Sequence, residues 1–376
     1  MATNNEFMPK FAVHPGRMLL EEIKARHMNQ AEFAERTKMT PKHLSDIVNG
    51  KADITPEVAI AVEAATGISA SLWLKLQMQY DEVLARQKEA ISIDEDMTVI
   101  GLFPYAKIRS IWPSLPDTRK TVERIIALRQ LFCVSSLTLL VENINNERFT
   151  INRPAFRTSG QSSDHDVDRY ALAAWVQVGK LCAANERLNT VFRQNDLKKF
   201  AKRIPAFSAE SNIPDAWKKI QDGLHNCGVK IILVPYLPKT YINGAVYWED
   251  DTPVIILNVK TSYWDTFIFT LLHEIGHILL HGKTYTSLSF DPTRAQLLSS
   301  DLKEEKEADD FSLSTLICPD IFEDFIAKYN DGSESIKHFA KENSVDCGIV
   351  ASRMARRGVI RWPYCMQFRR QVQIGS

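Results

Sequence analysis

Two histidines lie one helical turn apart in an apolar stretch of the chain, within the pentapeptide His273-Glu-Ile-Gly-His277. On an α-helix both imidazoles project from the same face and can bind one metal ion. Glu274 stands beside them, where a carboxylate can act as the base for a metal-bound water. Because this pattern is short, a buried helix with two hydrogen-bonded structural histidines is the alternative interpretation.

An acidic segment further along the chain favours the metal interpretation. Glu305 and Asp309 are four residues apart and share one face if the segment is helical. Glu305 can complete a His/His/Glu ligand set that leaves the fourth position of a zinc ion open. Asp309 can then hold a ligand histidine by its outer N–H group. Glu307 is the alternative third ligand, although it projects from the opposite side of that helix.

Zinc is the metal that we expect for two histidines and a glutamate. Manganese is the alternative, because the ligand types alone do not decide metal selectivity. His281 continues the row of histidines at the same spacing. A further protein ligand would close the open position, so His281 is predicted to be structural or to lie at the edge of the cleft.

A small sheet and its neighbouring helices must position these residues. A strand at the edge of such a sheet can bind an extended peptide by strand addition. Asn243-Gly244 is predicted to be a turn, and residues 334–358 are predicted to form a helix–turn–helix-like pair near the catalytic domain. The strands are predicted at residues 229–235, 245–248 and 254–259, after a helix at residues 214–226.

Near the N-terminus, residues 29–37 and 42–48 are predicted to form two short helices joined by a brief turn, which is helix-turn-helix geometry. Residues 1–90 contain eleven Lys and Arg against twelve Asp and Glu, so their net charge does not favour DNA binding. A five-helix bundle used for packing or dimerisation therefore stays open as an alternative. In favour of DNA, basic residues cluster around the turn, where phosphates would lie: Arg36, Lys38, Lys42, His43 and Lys51.

Several segments of this region resemble the HigA/VapI-type antitoxins of the Xre helix-turn-helix class. The resemblance spans roughly residues 12–86 and rests on His14-Pro-Gly, Asn29-Gln-Ala-Glu-Phe-Ala and Ile47-Val-Asn-Gly-Lys51. It implies a homodimer that binds palindromic operator DNA. In that geometry the major groove would be faced by Thr40, Lys42, His43 and Asp46, while Gln30 would contact a phosphate.

The segments around the histidines and the later acidic residues resemble the ImmA/IrrE-type metallopeptidases, over roughly residues 225–362. The resemblance rests on residues 269–281, 305–311, 316–319 and 336–358. It implies a gluzincin-like zinc peptidase that cleaves a regulatory protein. Cys318 replaces the Met that members often carry at this place, which is a packing position.

Composition is that of a soluble globular protein, with 45% apolar and 24% charged residues among 376 and a net charge of zero. The six cysteines are scattered, which indicates reduced thiols and a cytoplasmic location. No apolar run is long enough to span a membrane, so no membrane partner is expected.

We predict a mainly α fold with a small β-sheet. Its parts are an N-terminal five-helix Xre-type helix-turn-helix domain, a helical middle region and a C-terminal α+β zincin-like (gluzincin) domain. The polar residues 89–96 are the predicted linker, and the Ser- and Asp-rich residues 157–166 are a predicted mobile loop. The domains are predicted at residues 1–90, 91–210 and 211–376.

These patterns predict a DNA-binding transcriptional regulator that carries a zinc-dependent peptidase and cleaves itself or a partner regulatory protein. One alternative is a non-catalytic antitoxin or repressor whose zincin-like domain binds a partner such as a cognate toxin, or senses a ligand. The other alternative is a protease whose N-terminal bundle serves only for dimerisation.

Overall fold

The computed structural model describes residues 12–146, 167–259, 263–284, 287–290, 302–330 and 332–372. The chain divides into two compact units, Met1–Asp96 and Met97–Ser376. The predicted class, mainly α with a small sheet, is confirmed. The predicted loop at residues 157–166 lies outside the described residues.

The first unit contains five helices, three of which begin at a side chain that caps them. Asn29, Thr40 and Thr55 each accept a hydrogen bond from the backbone N–H three residues ahead, which satisfies a donor left open by the first helical turn. The helices are α1 (Gly16–Ala25), α2 (Gln30–Arg36), α3 (Pro41–Val48), α4 (Pro56–Thr66) and α5 (Ala70–Met97).

The start of α1 lies directly against the end of α3. A Cβ atom placed on Gly16 would lie 1.9 Å from the carbonyl oxygen of Ile47, a distance that no atom pair tolerates. Only glycine therefore allows this approach. Leu19, Phe33 and Trp73 are fully buried and form the centre of the core beneath α3.

Helix α5 runs for 28 residues without interruption, from Ala70 to Met97. The sequence analysis predicted a linker at residues 89–96, and this was wrong, because the helix continues through them. The segment is polar, but it contains neither Gly nor Pro. Glu, Lys, Gln, Arg and Ala all have high helix propensity, so polarity alone does not end a helix.

Thirteen further helices and four strands make up the described part of the second unit. Its first four helices are α6 (Tyr105–Ile111), α7 (Thr121–Phe132), α8 (Leu137–Asn145) and α9 (Arg169–Asn185), and α10 (Gln194–Ala201), α11 (Ile204–Ser208) and α12 (Ile213–Asn226) precede the sheet. The strands are β1 (Lys230–Pro235), β2 (Ile242–Glu249), β3 (Thr252–Val259) and β4 (Ser287–Phe290). The remaining helices are α13 (Trp264–Leu280), α14 (Leu302–Leu316), α15 (Pro319–Lys328), α16 (Ser333–Glu342), α17 (Cys347–Arg356) and α18 (Trp362–Cys365).

The sheet has the strand order β1-β3-β2-β4, and helices cover both of its faces. Strands β1 and β3 are parallel, whereas β2 is antiparallel to both β3 and β4. A Cβ on Gly179 of α9 would lie 2.4 Å from Ile256 of β3, so α9 packs closely on one face. A Cβ on Gly244 of β2 would lie 2.6 Å from Glu274 of α13, which covers the other face. The result is a three-layer arrangement with α13 on one side.

Asn243-Gly244 was predicted to be a turn, and this was wrong, because both residues lie inside β2. The pairing with β4 shifts register between Ile242 and Gly244, so the two residues occupy a strand irregularity. The turn between β2 and β3 lies at Asp250 and Asp251, between the strands that were predicted at residues 245–248 and 254–259. Strand β4 was not predicted at all.

Helix α7, the first long helix of the middle region, begins at Thr121 and not at Pro116, although Pro is a common first residue of a helix. The backbone oxygens before it are bound by side chains: the Tyr105 hydroxyl donates to Pro116 O at 2.8 Å, and Arg124 Nε donates to Thr118 O at 2.8 Å. These bonds hold the segment outside a helix. Among the described residues no single helix is long and apolar enough to cross a membrane, although the bent pair α7–α8 passes that test jointly.

Candidate metal centre and DNA-binding surface

Helices α13 and α14 lie side by side, and glycine sets their closest approach. A Cβ on Gly276 would lie 3.2 Å from the Cα of Ala308, so a larger residue would push the helices apart. The Ser312 hydroxyl donates to Phe269 O at 3.0 Å and pins the other end of the contact. This pairing turns one face of α14 toward the histidines of α13.

The three residues brought together are His273, His277 and Glu305, and one ligand atom from each lies within 4.8 Å of the others. The two Nε2 atoms are 2.9 Å apart. The Glu305 oxygens lie 3.2 Å from Nε2 of His273 and 3.4 Å from Nε2 of His277. A tetrahedral zinc ion with bonds near 2.05 Å has ligand atoms about 3.3 Å apart, so these residues fit such an ion.

The outer nitrogen of His273 lies against a carboxylate of α14. His273 Nδ1 donates to Asp309 Oδ1 at 2.8 Å, which leaves Nε2 to face the other ligand atoms. Burial disfavours a charged imidazole, but the hydrogen bonds to Asp309 and Glu305 outweigh it and raise the pKa of His273 to about 10. The carboxylates therefore favour a positive charge here, which a metal ion would supply.

The pKa of His277 moves in the opposite direction. Its side chain is fully buried, and burial together with the neighbouring imidazoles of His273 and His281 lowers its pKa. A neutral imidazole is the form that binds a metal through its lone pair. The two histidines together therefore favour a single positive charge, which His273 carries. A bound metal ion would take the place of that extra proton.

Glu274 is the residue predicted to act as base, and it is completely buried. The absence of a side chain on Gly244 makes room for it, because a Cβ there would lie 2.6 Å from Glu274 Oε1. Sequence analysis missed this role of Gly244. In the sequence, the position of Gly244 within a strand is indicated by the continuous apolar segment that follows the Asn-Gly pair in place of polar turn residues.

Glu307 is not at the metal position. Its Oε2 lies 3.1 Å from Nε2 of His281, and His281 Nδ1 lies 3.0 Å from Nδ1 of His277. This chain of contacts was missed by the sequence analysis, which treated Glu307 as a rival ligand and His281 as structural. The signal was present in the HxxxHxxxH row together with a carboxylate two residues after Glu305.

In the first unit, the proposed recognition helix α3 buries one face and exposes the other. Leu44, Ile47 and Val48 are buried in the core. Lys38 joins α2 to α3 with a φ of 54°, and the tight turn orients α3 across α2. The residues predicted to meet DNA are at least partly exposed: Thr40, Lys42 and Lys51 are exposed, and Gln30, His43 and Asp46 are half-buried.

Thr40 and Gln30 are both tied to a helix N-terminus. The Thr40 hydroxyl accepts from the backbone N–H of His43 at 3.1 Å, so it caps α3 while it stays exposed. Gln30 is the first residue of α2, where backbone N–H groups can meet a phosphate. Lys42 and Asp46 are four residues apart and share the exposed face of α3.

Two family models match the chain. The helix-turn-helix model matches residues 19–73, and the model of the IrrE N-terminal-like domain of the M78 peptidase family matches residues 227–354. The first match contains α2 and α3, and the second contains the sheet and both helices of the candidate metal centre.

Known proteins are similar to the first unit. An uncharacterized HTH-type transcriptional regulator, YddM of Escherichia coli, is 31% identical over 86 residues, which is 22% of this chain and 89% of that protein. Virulence-associated protein A of Dichelobacter nodosus is 44% identical over 69 residues, covering 18% of this chain and 68% of that protein. A solved addiction module antidote protein of the HigA family from Coxiella burnetii is 28% identical with a TM-score of 0.21, covering 23% of this chain and 94% of that chain.

The similar proteins and the family models address different parts of the chain. The similar proteins each cover less than a quarter of it, so they describe the first unit alone. The second unit is described by its own family match over residues 227–354. The chain thus belongs to the Xre-type helix-turn-helix regulators through its first unit and carries an IrrE-like M78 domain in its second.

Proposed function

We propose that this chain is a DNA-binding regulator whose second unit is a zinc-dependent peptidase that cleaves the chain itself or a partner regulatory protein in the cytoplasm. One observation carries the enzymatic half of the proposal. His273, His277 and Glu305 converge on one point, and Glu274 lies on the same helix as the two histidines. Manganese is the alternative metal.

The residues of the chain have separate tasks in this proposal. His273, His277 and Glu305 would hold the metal, and Asp309 keeps His273 in the tautomer that presents Nε2. A bound zinc ion would supply Lewis acidity to the scissile carbonyl. Glu274 would accept a proton from the attacking water at a carboxylate oxygen and would pass it to the leaving amine.

DNA binding is proposed for the exposed face of α3, with a homodimer placing two such helices on a palindromic operator. Lys42 and Lys51 would contact phosphates, and Thr40, His43 and Asp46 would face base edges in the major groove. Asp46 can accept a hydrogen bond from a cytosine amino group, which offsets its repulsion of phosphate. Gln30 would contact a phosphate from the start of α2.

A non-catalytic regulator is the second candidate, in which the second unit binds a partner such as a cognate toxin, or a ligand. The specific observation in its favour is that Glu274 has no exposed surface, so water reaches it only if the site opens. The two candidates share the metal centre and the DNA surface. They differ in hydrolysis, which variants of Glu274 test.

Metal content tests the ligand assignment directly. Purified wild-type protein is expected to hold about one zinc ion per chain, measured by atomic emission after dialysis against a weak chelator. His273→Ala and Glu305→Ala should each lose the ion, because two remaining ligands bind weakly. Glu307→Ala tests the alternative third ligand and should retain most of the zinc, and Asp310→Asn, at an exposed carboxylate of the same helix, is the control. Full zinc content in Glu305→Ala, with loss in Glu307→Ala, would transfer the third ligand to Glu307.

DNA binding tests the role of α3. The probe is a duplex selected by the wild-type protein from a random library, and affinity is measured over a range of salt concentrations. Lys42→Ala should weaken binding to all sequences and lower the slope of log affinity against log salt by about one unit per lost phosphate contact. His43→Ala should weaken binding with a smaller change of slope. Lys75→Ala, at an exposed lysine of α5, is the control and should bind as the wild type does. Affinity that does not change with salt in the wild type would assign this unit to dimerisation.

A further inference from the structure

The two histidines of the proposed metal centre are held differently at their outer ring nitrogens. His273 Nδ1 donates directly to a carboxylate, that of Asp309, at 2.8 Å. His277 Nδ1 lies 3.0 Å from Nδ1 of His281, and His281 Nε2 lies 3.1 Å from a Glu307 oxygen. Both series of contacts therefore end at a carboxylate of α14, but the second one passes through an extra imidazole.

Hydrogen-bond chemistry gives the second series a direction. An ionised carboxylate can only accept, so Nε2 of His281 carries the proton that it donates to Glu307. Neutral His281 then has its lone pair on Nδ1, which accepts from Nδ1–H of His277. Nε2 of His277 is consequently left with its lone pair, and this atom is the one that lies 3.4 Å from Glu305 and 2.9 Å from His273.

Burial makes this arrangement specific. The side chain of His277 is fully buried, and that of His281 is 9% exposed, so water has little access to the contact between them. The side chain of Glu307 is 45% exposed. Removal of His281 should therefore disturb His277 more than removal of Glu307, whose place water can take.

We propose that His281 and Glu307 act in series as positioning residues, orienting His277 and fixing its tautomer so that Nε2 faces the metal. The inference rests on the metal centre of the proposed function. It assigns a purpose to the third histidine of the row. The metal centre would then have two outer carboxylates, Asp309 for one ligand histidine and Glu307 for the other.

Metal affinity of the apo-protein tests this proposal without any assay of hydrolysis. Zinc affinity is measured by competition with a chelator of known affinity, and the ligand geometry is followed by the visible absorption of the cobalt-substituted protein. His281→Ala is expected to weaken zinc binding about 10–100-fold, the usual effect of removing a partner of a ligand histidine. Glu307→Ala should weaken it by a smaller factor.

A double-mutant cycle distinguishes action in series from independent effects. If Glu307 acts through His281, then Glu307→Ala causes no further loss in a chain that already carries His281→Ala. Glu307→Gln keeps an acceptor oxygen and should bind zinc nearly as the wild type does. Asp310→Asn removes a carboxylate from an exposed site of the same helix and is the control for charge alone.

The outcomes separate this inference from the proposed function. A wild type without zinc would overturn the function itself. If the wild type binds zinc and both His281→Ala and Glu307→Ala bind it with the wild-type affinity, only the inference is wrong. Additive losses in the double variant would also overturn it. Thermal unfolding of each apo-protein controls for misfolding. If His281→Ala does not fold, the zinc affinities of Glu307→Ala and Glu307→Gln are compared, and equal affinities would overturn the inference.

Discussion

Glu274→Gln is expected to keep the metal and to lose peptide hydrolysis by about 10²–10⁴-fold, the range for removal of a general acid–base group. Glutamine has the same shape as glutamate and fills the same buried space beside Gly244, so the fold should be retained. Its amide, however, cannot accept the proton of the attacking water. The measurement is mass spectrometry of wild type and variant after incubation with zinc, alone and with candidate partner regulators.

The comparison with the non-catalytic candidate follows from the same experiment. Zinc content must be equal in wild type and variant for the result to concern proton transfer rather than metal loss. Asp310→Asn, which changes a carboxylate outside the metal centre, should cleave as the wild type does. If wild type and Glu274→Gln both stay intact and leave the partners uncut, the peptidase proposal is wrong and the non-catalytic regulator takes its place.

Gly16→Ala should destabilise the first unit by about 3 kcal/mol or more, at the upper end of the range for inserting an atom into a packed contact. The added Cβ would lie 1.9 Å from the Ile47 backbone oxygen, and a backbone atom cannot rotate away. Helix α1 must therefore shift from the end of α3. DNA affinity should fall as well, because Ile47 belongs to the proposed recognition helix.

Calorimetry of the whole chain measures this effect. The two compact units should give separable transitions, and added zinc identifies that of the second unit by raising its midpoint. Gly16→Ala should lower the other midpoint. Gly101→Ala is the matched control, because nothing lies within 4 Å of the added Cβ. An unchanged first-unit transition would show that α1 does not need this close approach.

Helical periodicity was enough to predict most of the candidate site. A spacing of four residues places His273 beside His277 and Glu305 beside Asp309 on any α-helix, whatever the rest of the fold. The choice between Glu305 and Glu307 was harder, because it depends on which face α14 turns toward α13. That face is set by the contact of Gly276 with Ala308, which joins parts of the chain distant in sequence.

The errors arose where long-range contacts override local signals. Asn243-Gly244 is a favourable turn pair, yet pairing of β2 with strands on both sides keeps it extended. Before α7, the side chains of Tyr105 and Arg124 bind backbone oxygens 11 and 6 residues away in sequence, and these contacts hold the segment outside a helix. Local propensity describes isolated segments, so it cannot anticipate such contacts.

The continuity of α5 has a consequence for self-cleavage. A peptidase that binds its substrate by strand addition needs an extended chain, and every peptide bond between residues 86 and 96 lies inside a helix. Residues 85–91 are all exposed. Local unfolding of at least a turn must precede any cut there. If the second unit cleaves this chain as proposed, the rate of cleavage would follow the opening free energy of the helix, and any interaction that stabilises α5 would slow it.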